Sequence, residues 1–551
     1  MLARLLIVFA LMGAQAALAQ TVIVRNVNGY APQPERLEKF ATLVIVNGKV
    51  DRLLSAGTAV PTIANATVID GKGQTLLPGL IDAHGHVVSL GQLRAQADLR
   101  GSASVDAALD RIRKFAADKS NAKWVVGQGW NQVLWSGRQF PTAKQLDRVV
   151  GERPALMSRI DGHAVWVNTA ALKLASITRA TPDPNGGQII RDAEGNPTGV
   201  LVDNATALVE RLLPPATDSE TLDFLSTALN ELASLGLTGV HDAGVDPHTY
   251  QLYQQLGKQN RLPVRVYAML ADNKAAREVI KSGPQPPQFE DRLQMRSVKA
   301  WVDGALGSRG AAFLQDYSDQ PGHRGLTLYT QDEMQTLAEL TAQHHWQLCV
   351  HAIGDAGNRT ALNAFERGMS AAQRVELRPR IEHAQVIALT DIPRFKQLNV
   401  IASIQPTHAT SDMNMAEDRV GAQRIQGAYA WRKLKNAGAR LAGGSDFPVE
   451  LANPFHGLYA AVTRKDRDGK PPGGWYAQEK LTREEALRLF SADAAYAASM
   501  EDRLGSLARG QWADFILIDR DYFAVPEDQI DDVVVAATYV GGKQVYAHSA
   551  K

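Results

Sequence analysis

Leu222, Leu225, Leu229, Leu232 and Leu235 recur every three or four residues, and 334–344 repeats the pattern, so both stretches predict amphipathic helices. Short apolar runs follow such segments: Gly239-Val240-His241, Val298 to Val302, Gln347 to Val350, Arg380-Ile381-Glu382 and Val400-Ile401-Ala402. Alternation of this kind predicts a parallel β/α architecture, in which polar residues closing the strands gather at one end of the sheet. The chain ends read differently. Thr21 to Val24, Ala41 to Val46, Asp514 to Ile518, Val533 to Val540 and Gln544 to Tyr546 are β-rich, and Asn47-Gly48 is a hairpin turn signal. These two ends are expected to pair into one small β-sandwich, 20–76 with 496–551. Residues 77–495 would form the β/α body. Within about 100–230 the pattern is less regular, and Pro182 to Gly187 is turn-rich, so an insertion is expected there.

A length of 551 residues suits one large barrel with smaller accessory parts. Hydrophobic residues make up 45% and charged residues 21%, ordinary for a soluble globular enzyme. The balance of 59 Lys+Arg against 58 Asp+Glu gives no electrostatic case for nucleic acid or an anionic membrane as partner; a small-molecule substrate and a homo-oligomer remain compatible. Residues 1–19 read as a cleavable signal peptide: a basic start to Arg4, an apolar core from Leu5 to Gly13, then Ala17-Leu18-Ala19 before Gln20. Export to the periplasm or beyond is the expectation, with no lipid anchor, since no cysteine stands at that junction. Cys349 is the single cysteine, in the apolar run Leu348-Cys349-Val350, and is expected to be a buried, inert thiol.

The chemistry lies in how the apolar runs end. Leu80-Ile81-Asp82-Ala83 runs into His84-Gly85-His86, and histidines at i and i+2 of a strand share a face. Gly85 between them would let the backbone approach a ligand closely. Two imidazoles on one face suit a metal ion. Three further runs close on ligand types: His351 with Asp355 nearby, His383, and Ser445-Asp446. The Gly127-Gln128-Gly129 stretch does not follow the dinucleotide-binding pattern.

These blocks resemble a known family. Leu76 through His86 is similar to the first-strand motif of the amidohydrolase superfamily. Asp161-Gly162-His163 with Trp166 and Asn168, Val298 to Gly304, His351 to Asp355, Ile381-Glu382-His383, Gly443 to Pro448 and the tail from Gly505 to Phe515 resemble amidohydrolase family 3, which includes N-substituted formamide deformylases. The resemblance spans essentially the whole chain after residue 19. It implies a distorted (β/α)8 (TIM) barrel and a β-sandwich built from both chain ends. It also implies one or two divalent ions, zinc by default, with Mn, Fe, Co or Ni as alternatives. His84 and His86 would hold the buried ion, His351 and His383 the second, and a carboxylated Lys299 would bridge them. Asp446 would serve as ligand and as proton carrier for an attacking water, in the hydrolysis of a carbon–nitrogen bond other than a peptide bond. An esterase, lactonase or dipeptidase-like hydrolase on the same scaffold, and a binding protein without catalysis, are the rival readings.

Other residues admit two readings each. His163 and Trp166 either line the substrate pocket or support the insertion, and Trp130 and Trp135 are pocket or core in the same way. Asp303 and Arg309 either contact substrate or organise a loop. His241-Asp242 would lie near the site without being ligands, and His344 and His345 would be structural or solvent-facing.

Overall fold

The computed structural model describes residues 20–34, 36–160 and 162–548. The expected signal peptide lies outside them. The central sheet has nine strands, of which Gln285–Gln288 is a short antiparallel addition and eight form the barrel: β1 (Leu80–Gly85), β2 (Leu237–Val245), β3 (Arg265–Ala271), β4 (Leu293–Trp301), β5 (Gln347–Ala352), β6 (Arg380–His383), β7 (Ile401–Ile404) and β8 (Arg440–Gly443). Each pairs in parallel with the next in chain order, from β1 to β8. The helical stripes found in the sequence form helices Asp218–Ser234 and Gln331–Gln343. Both begin with reciprocal capping, Thr217 with Glu220 and Thr330 with Glu333, and both bury their apolar side against the barrel.

The barrel closes between β8 and β1 through loop backbone and one side chain. Asp446 N donates to His84 O (2.7 Å), and His86 N donates to Phe447 O (2.8 Å). Deeper in the seam, the Asp82 carboxylate accepts from His84 N (3.0 Å), Ser445 N (3.1 Å) and Ser445 Oγ (2.6 Å). A carboxylate therefore replaces ladder hydrogen bonds where the strands do not meet, which is the distortion of this barrel.

The chain ends join edge to edge in one eight-stranded sheet. Strand Thr75–Pro78, which leads directly into β1, pairs with Thr21–Pro32 on one side and Phe515–Ile518 on the other. Val24, Leu43, Phe515 and Tyr539 pack into a core belonging to this sheet, while Leu77, Ile516 and Val535 pack into that of the barrel. The insertion carries a six-stranded sheet running from Ala97–Asp98 to Pro197–Asp203, with cores of its own. Trp130, Trp135 and Trp166 belong to one of these cores. Cys349 is free and buried, its thiol pushed up to about 12 by burial, as expected of an inert core residue. Among the described residues no helix is long and apolar enough to cross a membrane.

Candidate metal centre

The C-terminal ends of the barrel strands surround a cavity of about 330 Å³. His84, His86, Lys299, His351, His383 and Asp446 all line it, brought from β1, β4, β5, β6 and the turn after β8. His383 and Asp446 have left-handed backbones (φ 74° and 63°), as does Ala384 (45°). This conformation is costly for residues other than glycine, and here it is concentrated where the chain turns out of β6 and β8.

His84 is fully buried, and its Nδ1 lies 2.6 Å from Glu382 Oε2. Glu382 is in turn held by Arg380, whose Nη2 donates to Oε2 (3.1 Å) and whose Nε lies 2.8 Å from Oε1. Burial alone would raise the Glu382 carboxyl, but Arg380 and His84 outweigh it and hold it well below the usual carboxylate range. An ionised Glu382 accepts the Nδ1 proton of His84, which fixes the tautomer and leaves Nε2 with a lone pair toward the cavity. Gln405 Oε1 sits 2.8 Å from His383 Nδ1 and orients that ring in the same way. The rings approach closely: His84 and His383 centroids are 4.9 Å apart, and those of His351 and His383 4.5 Å.

Burial, followed by the nearby Lys299 charge, lowers His84 to about 4 and His351 to about 3, and burial holds His383 well below the ordinary imidazole value. All three are neutral at physiological pH. Burial pushes Asp446 up, yet its value is lowered overall, and the largest opposing effect is the His86 hydrogen bond, so its carboxylate is ionised. His86 Nε2 lies 3.0 Å and His84 Nε2 3.7 Å from Asp446 Oδ1, while His408 Nε2 lies 3.6 Å from Oδ2. Two triads result, His84–His86–Asp446 and His383–His408–Asp446, each with its donor atoms within 4.8 Å of one another. Among the described residues, His84 Nε2, His351 Nε2 and His408 Nε2 are buried and have no hydrogen-bond partner. Buried imidazole nitrogens without partners, converging on an anionic carboxylate, are a donor set that fits a divalent cation.

Lys299 is buried against Trp301, its Nζ 4.5 Å from the ring centroid, and burial lowers it to about 8. Only about a tenth of this amine is unprotonated at pH 7, far more than for an ordinary lysine.

Four candidate substrate contacts lie outside the cavity lining, although Asp303 Oδ1 is 3.5 Å from His351 Nε2. His163 is exposed on the insertion, its Nδ1 2.9 Å from Asp203 Oδ1. Trp166 is buried in the insertion core, and its indole N–H donates to Thr142 O. Asp303 is buried beneath the cavity wall and accepts from the backbone N–H of Ala312, Ile353 and Gly354, so it organises the loops after β4 and β5. Arg309 points outward and pairs with Asp319 (2.9 Å), which Arg419 also contacts. Gly85 has a different cause from the one expected: a Cβ there would sit 2.3 Å from the Phe447 ring, so the close neighbour is protein. His241 and Asp242 are buried outside the cavity wall, where His241 Nδ1 accepts from Arg380 and Asp242 accepts from Val87 N and Tyr253 Oη.

Three residues with a part in the site carry no assignment in the sequence reading. Glu382 and Arg380 stand inside a recognised block, where the i, i+2 spacing along β6 points both into the barrel interior. His408 was hidden by distance: β7 ends at Ile404, and Pro406 opens a helical turn that carries the histidine back toward the centre.

The family model described as the amidohydrolase family matches residues 67–546. Protein LONG AFTER FAR-RED 3 of Arabidopsis thaliana is 32% identical, over 92% of this chain and 88% of its own. The N-substituted formamide deformylase of Arthrobacter pascens is 27% identical, over 91% of this chain and 94% of its own. Among solved structures, an uncharacterized metal-dependent hydrolase from Pyrococcus furiosus superposes with a TM-score of 0.75 at 28% identity, covering 91% of this chain and all of that one. The match across most of the chain, and the metal-ready cavity at the barrel mouth, identify this protein as a member of the amidohydrolase family of metal-dependent hydrolases.

Proposed function

We propose that this protein is an exported hydrolase that cleaves a non-peptide carbon–nitrogen bond in a linear or cyclic amide. The observation that carries the reading is Asp446, an ionised carboxylate shared by two histidine triads, with the Nε2 atoms of His84 and His408 left without a hydrogen-bond partner among the described residues. His84, His86, His383, His351 and Asp446 would hold one or two divalent ions, zinc by default. A cation bound there supplies Lewis acidity to a water and to the substrate carbonyl. Asp446 accepts the proton of the attacking water and delivers it to the leaving nitrogen. Glu382 and Gln405 keep the imidazoles oriented throughout. Lys299 adds CO₂ through its neutral amine, forming an N–C bond and releasing a proton, and the resulting carbamate joins the ligand set in place of an ammonium that cannot ligate.

The rest of the wall bears on substrate. Trp301, Leu306 and Ile353 are apolar, Asp412 and Glu450 are acidic, and no arginine lines the cavity among the described residues. This favours neutral or amine-bearing amides over carboxylate-bearing N-acyl amino acids. The named deformylase relative supports carbon–nitrogen cleavage. The test is a panel of formamides, N-acyl amines, cyclic amides, esters and lactones, assayed on the mature chain reconstituted with metal. Turnover confined to amides is expected. Turnover confined to esters or lactones overturns the bond assignment, and metal binding with no hydrolysis anywhere in the panel favours a binding protein. Incubation with ¹³C-bicarbonate should add one carbamate carbon resonance that Lys299→Ala lacks.

A further inference from the structure

We infer that His408 is itself a cation ligand, closing a second triad with His383 and Asp446. This rests on the metal-dependent reading above and adds a ligand that the strand-end motifs do not contain. His408 Nε2 is buried, has no hydrogen-bond partner among the described residues, and lies 3.6 Å from Asp446 Oδ2. Its ring stacks on His383, with centroids 5.8 Å apart and planes 18° from parallel. The two imidazoles and the carboxylate offer donor atoms all within 4.8 Å of one another.

The short helix Pro406–Asp412 that carries His408 is tied to the site at both ends. At its start, Gln405 Oε1 receives the His383 Nδ1 contact at 2.8 Å. At its end, Asp412 Oδ2 accepts from Gln385 Nε2 (2.9 Å) and Tyr429 Oη (2.7 Å). Gln385 follows His383 closely on the same segment, so His383 and His408 are held as one unit. A histidine needed only for packing would have its polar nitrogen satisfied or exposed; this one is neither. A carboxylate shared between two imidazole sets is the arrangement expected of a paired-cation site in a hydrolase.

The experiment is Co²⁺ titration of the metal-stripped full-length mature chain, followed by dialysis stoichiometry and the visible ligand-field spectrum. Wild type, His408→Ala, His408→Gln and Gln405→Ala are compared. Wild type should take up two cations. In both His408 variants the weaker cation should lose affinity by more than about 100-fold, with its ligand-field bands changed. In Gln405→Ala the loss should be about 10- to 100-fold, the range for removing an outer hydrogen-bond partner. Retention of the first cation and its bands reports that the variants remain folded. Two cations bound with unchanged affinity and spectrum in His408→Ala overturn the assignment. A wild type that saturates at one cation also overturns it, while leaving the hydrolase reading intact. A wild type that binds none removes the hydrolase reading as well.

Discussion

At the scale of single residues, the site depends on which groups hold protons. Asp446 stays ionised despite burial, first through its His86 hydrogen bond, and His84 stays neutral because burial and Lys299 both disfavour its cation. Asp446→Asn keeps the shape and removes both the anion and the proton carrier; kcat should fall by at least about 100-fold, the span of general acid–base catalysis. Near-full turnover with metal bound would remove Asp446 from that role. Glu382→Gln should weaken cation binding by about 10- to 100-fold, because the His84 tautomer is no longer enforced. The buried imidazoles also carry a pH-dependent part of the metal-free protein's stability. His84, His351, His383 and His241 all have folded values depressed below 6.5, so between about 6.5 and 4 the unfolded chain binds protons that the folded one refuses. Asp82 and Asp303, raised to about 7 by burial, act in the opposite sense over the same window, as do Asp242, Asp355 and Asp493, also raised by burial. The rise in melting temperature that a bound cation gives should shrink as pH drops from 6.5 to 4, because protons compete for the same imidazole nitrogens.

At the scale of elements, strand ends were the most legible part of the sequence. Each apolar run that closed on His84, His351, His383 or Asp446 became a barrel strand or the turn after one, because a parallel strand is buried on both faces until it reaches the mouth. His408 escaped this logic, since its distance from β7 is set by a helical turn and not by strand period. Arg309 and Asp303 stayed open between substrate contact and a loop role for the complementary reason: adjacency to Lys299 in sequence does not say which way the loop after β4 folds. Three backbone donors claim Asp303, and Asp319 claims Arg309. The seam between β8 and β1 was not legible either, because it relies on an Asp82 side chain rather than a ladder. Gly85→Ala places a methyl group against Phe447 at that seam and should cost about 1–3 kcal/mol, read as a lowered denaturation midpoint.

For the whole molecule, the β-rich ends and the alternating middle were both visible as patterns. The insertion was visible only as irregularity, since its six-stranded sheet mixes parallel and antiparallel pairs without one period. Its aromatic residues, Trp130, Trp135 and Trp166, resembled a pocket in sequence and are a core in space. The terminal sheet is fastened to the barrel by Arg265 of β3 and Asp514, both nearly buried, through two hydrogen bonds of 2.7 and 2.9 Å. Asp514→Ala leaves a buried guanidinium without its partner and should destabilise by about 3–5 kcal/mol with cation content unchanged. Stability as great as wild type would mean that the two parts are held by apolar packing alone.

The central claim is that this cavity holds divalent metal through a carboxylate common to both triads. Metal content per chain, measured by elemental analysis after reconstitution and dialysis, tests it most directly in wild type and Asp446→Ala. The account predicts bound divalent cation in wild type and its near-complete loss in the variant. A wild type that emerges without metal, or a variant that keeps the full complement, would contradict it.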